Sequence, residues 1–277
     1  MHPVSRSRPI SGLDFDGLLL DLDGCVYTGR TAVPGAARAL NGLAEAGVPV
    51  VFLTNNASRS ARQVADHITE LGVDARPEQV LTSGIVAARE LARTMPAGAP
   101  VLVVGSEALA DQVRDAGLSV VTRAADDPVA VVQGHSPDTG WRQLAEICTA
   151  VRAGAEWWAT NLDRTFPTEA GLLPGNGSFV RVVQETTGAT PQVAGKPAAS
   201  MMRAGTDLLG AARPLMVGDR LETDIAGARA AGITAGLVLT GVHREEDARA
   251  APAEERPHVL LDSLLDLLPD GIPRRFA

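Results

Sequence analysis

Cysteine is nearly missing from this sequence: Cys25 and Cys148 are the only two among 277 residues. They lie far apart and show no metal-type spacing, which excludes a disulfide framework and a structural zinc site and leaves reduced thiols as the expectation. Basic clusters are missing too. Lys and Arg number 25 against 33 Asp and Glu, a formal charge of −8, so the electrostatic footprint of a nucleic-acid partner is absent. No long apolar run opens the chain. Leu18-Leu19-Leu20 is cut at once by Asp21 and Asp23, which excludes a signal core or a spanning helix there, so the expected location is cytoplasmic, with no membrane partner. Aromatics are only 3% of residues, and all three tryptophans, Trp141, Trp157 and Trp158, fall in the middle third.

What remains is an ordinary folded composition, 45% apolar and 21% charged. Residues 1–12 show no apolar periodicity and read as a ragged terminus without a function. Short apolar runs then alternate with amphipathic stretches: strands over 18–22 and 48–53, helices over 34–46 and 58–71, and the same alternation through 101–159. It resumes after a Gly/Pro-rich stretch at 171–178, with helices over 179–187, 198–209 and 222–231 and strands over 215–217 and 234–239. That alternation predicts an α/β fold built on parallel strands with crossovers. The tryptophan-bearing third, closed by Pro174-Gly175-Asn176-Gly177, reads as an insertion. The expected domains are a discontinuous core over 1–83 and 176–277 and an inserted α/β domain over 84–175.

Chemistry is concentrated where apolar runs end. Asp21 and Asp23 follow a buried-strand pattern and are two residues apart, which in extended geometry turns both carboxylates into one crevice. Gly24 then lets the chain turn. Two carboxylates that close require a cation, a shared proton, or both. Asp14-Phe15-Asp16-Gly17 repeats the pattern without a strand before it, and the chemistry is assigned to Asp21. The run 48–53 ends in Thr54-Asn55-Asn56, whose hydroxyl, amides and backbone N–H groups suit phosphate oxygens, although a strand-to-helix loop with Ser58 as cap would look the same. Lys196, in Gly195-Lys196-Pro197, offers a point charge for phosphate. Asp219 follows a third apolar run and adds an oxygen donor for Mg²⁺; Asp224 comes five residues later, where a helix-capping role is the alternative.

These elements in this order, Asp21 and Asp23, then Thr54, then Lys196, then Asp219 and Asp224, resemble the four motifs of the haloacid dehalogenase superfamily. The large insertion is similar to the α/β cap of the subclass that contains bacterial glycerol-3-phosphate phosphatases, 4-nitrophenylphosphatases, phosphoglycolate phosphatases and pyridoxal phosphate phosphatases. The stretches Thr54-Asn55-Asn56-Ala57-Ser58-Arg59-Ser60-Ala61, Ala159-Thr160-Asn161-Leu162-Asp163, Pro167-Thr168-Glu169 and 171–178 bring it nearest to the glycerol-3-phosphate type. The resemblance implies a Rossmann-like core and a Mg²⁺-dependent phosphatase acting on a small phosphorylated metabolite, glycerol 3-phosphate first. Phosphoglycolate, pyridoxal phosphate, nucleotide or broad specificity are the enzymatic alternatives, and a non-hydrolytic phosphoacceptor or phosphometabolite-binding protein is the alternative of another class. It also implies roles: Asp21 as nucleophile, Asp23 as acid and base, and Mg²⁺ held by the Asp21 and Asp219 side chains and the Asp23 carbonyl. Asp224 would support that shell, and Thr54, Asn55, Asn56 and Lys196 would hold phosphate. Asn161, Asp163 and Arg164 are candidate substrate contacts, a pattern that a structural turn shares. Family members often dimerise through the cap, which makes a homodimer the expected assembly. Cys25 stands where relatives often carry threonine or valine, and reads as a small buried residue or a redox-sensitive one.

Overall fold

A computed structural model describes residues 13–168 and 171–276. The ragged start over 1–12 and the motif residue Glu169 lie outside the described residues. Strands recur along the chain as β1 (Gly17–Asp21), β2 (Val50–Thr54), β3 (Val80–Thr82), β4 (Pro100–Val104), β5 (Ser119–Val121), β6 (Ala130–Gln133), β7 (Glu156–Ala159), β8 (Gln192–Val193), β9 (Pro214–Gly218), β10 (Thr234–Val238), β11 (Val259–Leu261) and β12 (Arg274–Arg275). Chain contacts divide them into two compact units, one holding residues up to Leu53, Val64–Val80 and everything from Met202, the other Thr54–Gln63 and Leu81–Met201.

The first unit is built on a seven-stranded sheet in the order β12-β11-β10-β9-β1-β2-β3. Strand β1 pairs in parallel with β9 and β2, β9 with β10 and β10 with β11, whereas β12 runs antiparallel at the edge. Leu18, Leu19 and Leu20 are fully buried, the outcome for a central parallel strand covered on both faces, where each leucine contributes about 1.5–3 kcal/mol of burial. Helix Ala36–Glu45 buries Ala36, Ala39, Leu40 and Leu43, the i, i+3, i+4, i+7 stripe of an amphipathic helix. Asp14 and Asp16 precede β1 and both face Arg213, so the near copy of the acidic run sits at the amino end of the strand, where it fastens the start of β9.

The second unit has its own parallel sheet, ordered β8-β7-β6-β4-β5. Both sheets therefore have the parallel α/β character that the alternation predicts. Trp157 and Trp158 are buried, with Trp157 Nε1 donating to Gln133 and Trp158 Nε1 to Glu156, while Trp141 is 81% exposed. This unit runs past residue 175, where the composition shift ends, as far as Met201. The reason lies in helix Asn176–Thr187, whose Val180 and Val183 complete a core with Leu102, Val131, Ile147 and Trp157. Gln192–Val193 then adds the edge strand. At the entrance Ser83 and Gly84 open helix Ser83–Thr94 under a Thr82 cap and are buried.

His258 links structure to pH. Its Nδ1 accepts from the Ala235 N–H and its Nε2 meets Arg229, and partial burial, then that guanidinium, holds its pKa below the ordinary value. The unfolded chain therefore binds the proton first. Stability is complete above about pH 6.5 and falls as pH drops through that value toward the folded pKa. His258→Asn, which keeps an acceptor for Ala235, is expected to flatten the fall in Tm between pH 7 and 5; an unchanged slope in thermal melts would contradict this.

Candidate active site

Strand β1 ends at Asp21 and the backbone turns immediately. Val26 N–H donates to Leu22 O at 2.8 Å and Gly24 N–H to Tyr27 O at 2.8 Å, with Gly24 at φ +78°. An L side chain at Gly24 would be strained by that φ and would also strike the Asp219 carboxylate. The extended i, i+2 geometry expected from the sequence stops one residue early as a result. Asp21 is 7% exposed at the strand end, whereas Asp23 lies in the turn and is exposed. The two carboxylates thus occupy unlike environments, one shielded from water and one able to exchange protons with it.

Asp219 follows β9, the neighbour of β1, and is 2% exposed. Its Oδ2 accepts from Val242 N–H at 2.8 Å and its backbone carbonyl from His243 N–H at 3.2 Å. Carboxylate oxygens of Asp21 and Asp219 and the sulfur of Cys25 all lie within 4.8 Å of one another, and all three residues are buried. Two buried like charges at that separation favour a bound divalent cation, and hard carboxylate oxygens are the donors that Mg²⁺ takes. The pair therefore fits an oxygen-ligated cation.

Asp224 is fully buried in a π-helical turn over Leu221–Ile225 that precedes the short helix Ala226–Ala230, in place of the single helix expected over 222–231. Its Oδ2 accepts from Arg220 N–H at 3.1 Å, so it ties back the loop that follows Asp219. The sequence reading missed the segment after β10. There Thr240 Oγ1 donates to Gly24 O at 2.7 Å, Val242 holds Asp219, and His243 Nδ1 accepts from Leu221 N–H. A Thr-Gly pair at the carboxyl end of another parallel strand was the available signal.

The second unit carries the remaining residues. Thr54 ends β2, one residue beyond Leu53, which is in register with Asp21. It is 3% exposed, and its Oγ1 accepts from Asn56 N–H at 3.1 Å. Asn55 Oδ1 accepts from Lys196 N–H at 2.7 Å, and its Nδ2 donates to Lys196 O at 3.1 Å and to Asp163 Oδ2 at 3.4 Å. Both ends of the Asn55 amide are thus engaged, and they tie its side chain to the Lys196 backbone. Asn56 Oδ1 accepts from the N–H and hydroxyl of Ser58. The helix cap is accordingly Ser60, in reciprocal hydrogen bonds with Gln63 ahead of helix Ala61–Glu70, and not Ser58.

Asn161 donates to Asn55 O at 2.8 Å and accepts from Asp163 N–H at 3.1 Å; Asn176, which the sequence reading passed over, donates to Asn161 O at 2.8 Å. Asn161, Asp163, Asn55 and Lys196 thus form one network, with Lys196 4% exposed at a cis peptide bond to Pro197. Arg164 is exposed, and its backbone carbonyl accepts from Ser178 and Gly175. A separate cavity of about 340 Å³, lined by Thr122, Ser136, Arg142 and Glu146 among others, includes none of the site residues expected from the sequence. Removing the Asn55 amide strands the Lys196 N–H, a loss of about 1–3 kcal/mol. Asn55→Ala is expected to lower Tm and to reduce the phosphate release that the resemblance implies through kcat more than through KM; unchanged kinetics would exclude a role for the Asn55 amide in holding Lys196.

A family model described as haloacid dehalogenase-like hydrolase matches residues 18–119, and a second, HAD-hydrolase-like, matches 193–267. The chain is 49% identical over 258 residues to the D-glycerol 3-phosphate phosphatase of Mycobacterium tuberculosis, covering 93% of this chain and 72% of that protein. It is 37% identical to the 5′-nucleotidase YutF of Bacillus subtilis, covering 92% of this chain and 98% of that one. Among solved structures, a glycerol phosphate phosphatase from M. tuberculosis in complex with magnesium superposes with a TM-score of 0.89 at 48% identity, covering 94% of this chain and 78% of that chain. The p-nitrophenyl phosphatase of Archaeoglobus fulgidus gives 0.85 at 31% identity, covering 92% and 98%. Matched by the first of those family models and 49% identical to the D-glycerol 3-phosphate phosphatase over 93% of its length, the chain belongs to the haloacid dehalogenase-like hydrolases.

Proposed function

We propose that this protein is a Mg²⁺-dependent phosphatase that hydrolyses glycerol 3-phosphate to glycerol and phosphate through an aspartyl-phosphate on Asp21. The buried Asp21 and Asp219 pair at the ends of adjacent parallel strands carries this reading, and the 49% identity to a D-glycerol 3-phosphate phosphatase supports the substrate. Asp21 and Asp219 would hold Mg²⁺ with the Asp23 carbonyl; when bound, the ion neutralises charge on the transferring phosphoryl group and fixes its orientation. A carboxylate of Asp21 attacks phosphorus while Asp23 protonates the departing glycerol oxygen. Asp23 then takes a proton from the water that cleaves the aspartyl-phosphate, which restores both residues. Its exposure suits a group that gains and loses a proton in each cycle. Lys196 and Thr54 bind phosphoryl oxygens, and Asn55 with Asp163 keeps Lys196 in place.

The second unit acts as the cap, with Asp163 and Arg164 contacting substrate. A homodimer through the cap would use Trp141, which is 81% exposed, whereas Trp157 and Trp158 are buried. Among the described residues no helix is long and apolar enough to cross a membrane, in keeping with a cytoplasmic enzyme of small metabolites. The 37% identity to a 5′-nucleotidase favours nucleotides as the second reading. Phosphate release with Mg²⁺, compared across glycerol 3-phosphate, phosphoglycolate, pyridoxal phosphate, nucleoside monophosphates and 4-nitrophenyl phosphate, tests both. Glycerol 3-phosphate is expected to give the highest kcat/KM. A higher value for nucleotides would shift the substrate, and stoichiometric phosphate uptake without turnover would replace the phosphatase with a phosphoacceptor.

A further inference from the structure

Cys25 is fully buried, and its sulfur lies within 4.8 Å of carboxylate oxygens from both Asp21 and Asp219. Mg²⁺ gains little from such a neighbour, because it takes oxygen ligands in near-octahedral geometry. Zn²⁺, and the softer Cd²⁺ still more, accept thiolate together with carboxylate, and in a tetrahedral zinc site neighbouring ligand atoms stand about 3.5 Å apart. Three donors already gathered within 4.8 Å need only side-chain adjustment to reach that separation. We propose that Cys25 makes the Asp21 and Asp219 site a mixed oxygen and sulfur site that captures thiophilic divalent cations and so blocks the Mg²⁺-dependent reaction, an inference that rests on the function proposed above.

The balance is simple. The ion forms bonds to one oxygen of each aspartate and to sulfur, and the thiol proton leaves to solvent. Two carboxylates with Mg²⁺ sum to zero charge; two carboxylates and a thiolate with Zn²⁺ or Cd²⁺ sum to −1. An anionic phosphate ester then meets net repulsion where it previously met a neutral site, and the ion, already bonded to thiolate, withdraws less charge from phosphorus. Burial shields the sulfur from bulk oxidants, which places its effect on the choice of metal. Cys148 belongs to the apolar core of the second unit and serves as an internal control.

The test titrates metal-free protein with Cd²⁺, following the ultraviolet charge-transfer band of a cadmium thiolate, with Mg²⁺ binding measured by calorimetry in parallel. One equivalent of band is expected in the wild type and in Cys148→Ser, and none in Cys25→Ser or Cys25→Val, with circular dichroism establishing that each variant is folded. Cd²⁺ inhibition of phosphate release, taken relative to each variant's own Mg²⁺ rate, should weaken by more than about tenfold without the sulfur. A wild type that binds Mg²⁺ but shows no thiolate band, or a band that persists in both Cys25 variants, overturns the proposal and leaves the phosphatase reading standing. Failure to bind either ion overturns both.

Discussion

Asp21→Asn is expected to stop phosphate release, with kcat lower by at least about 10⁴-fold, as for loss of a covalent nucleophile. The amide has the same shape and cannot attack phosphorus, so the strand end at β1 keeps its packing while the first step of the reaction is lost. Stability supplies an independent readout. Wild-type protein without metal holds the Asp21 and Asp219 carboxylates close together in a buried setting, a repulsion that the neutral asparagine removes. The variant is therefore expected to melt no lower than the wild type in EDTA, and to lose the stabilisation that Mg²⁺ gives the wild type by mass action. Near-normal turnover in a correctly folded Asp21→Asn protein would sink the covalent mechanism.

Asp219→Asn should separate metal binding from nucleophilic attack. Asparagine retains an oxygen to accept the Val242 N–H, so the loop after β10 keeps its anchor, but the site loses one of its two charged donors. The Mg²⁺ concentration for half-maximal activity is expected to rise by at least about 10- to 100-fold, with much of the rate recovered at saturating Mg²⁺. Excess EDTA should abolish wild-type activity and Mg²⁺ should restore it. An unaltered Mg²⁺ dependence in Asp219→Asn would remove Asp219 from the metal site, and activity that survives full chelation would remove the metal from the reaction.

Strand ends were readable because continuous apolar runs such as 18–20 and 215–217 belong to parallel strands buried on both faces, and polar groups at their carboxyl ends line the functional edge. The strand-end positions of Asp21, Asp219 and Thr54 were legible on that basis. The Thr240 and Val242 contacts were not, since they join residues more than 20 positions from Asp219, and over 200 from Gly24, through hydrogen bonds that leave no local pattern. The Asn55 contacts were hidden for a related reason: its side chain suits phosphate equally well, and only the fold brings the Lys196 backbone, 141 residues away, into contact with both ends of its amide. Composition ended the insertion at 175, whereas the packing of Val180 and Val183 carries the unit on to Met201, because a helix joins the core its buried face fits regardless of the glycines before it.

The strand order of the first unit has a bearing on biosynthesis. β1 leaves the ribosome well before its partner β9: Arg213 and Asp16, which face each other at the shared end, stand 197 residues apart. The second unit finishes at Met201, so its own parallel sheet is entirely outside the remaining chain before β9 exists. Throughout that interval Leu18, Leu19 and Leu20 occupy a strand with one hydrogen-bonding edge open. The nascent chain thus carries an unpaired apolar edge until β9 is made, the kind of surface that chaperones engage and that aggregates when synthesis outruns them.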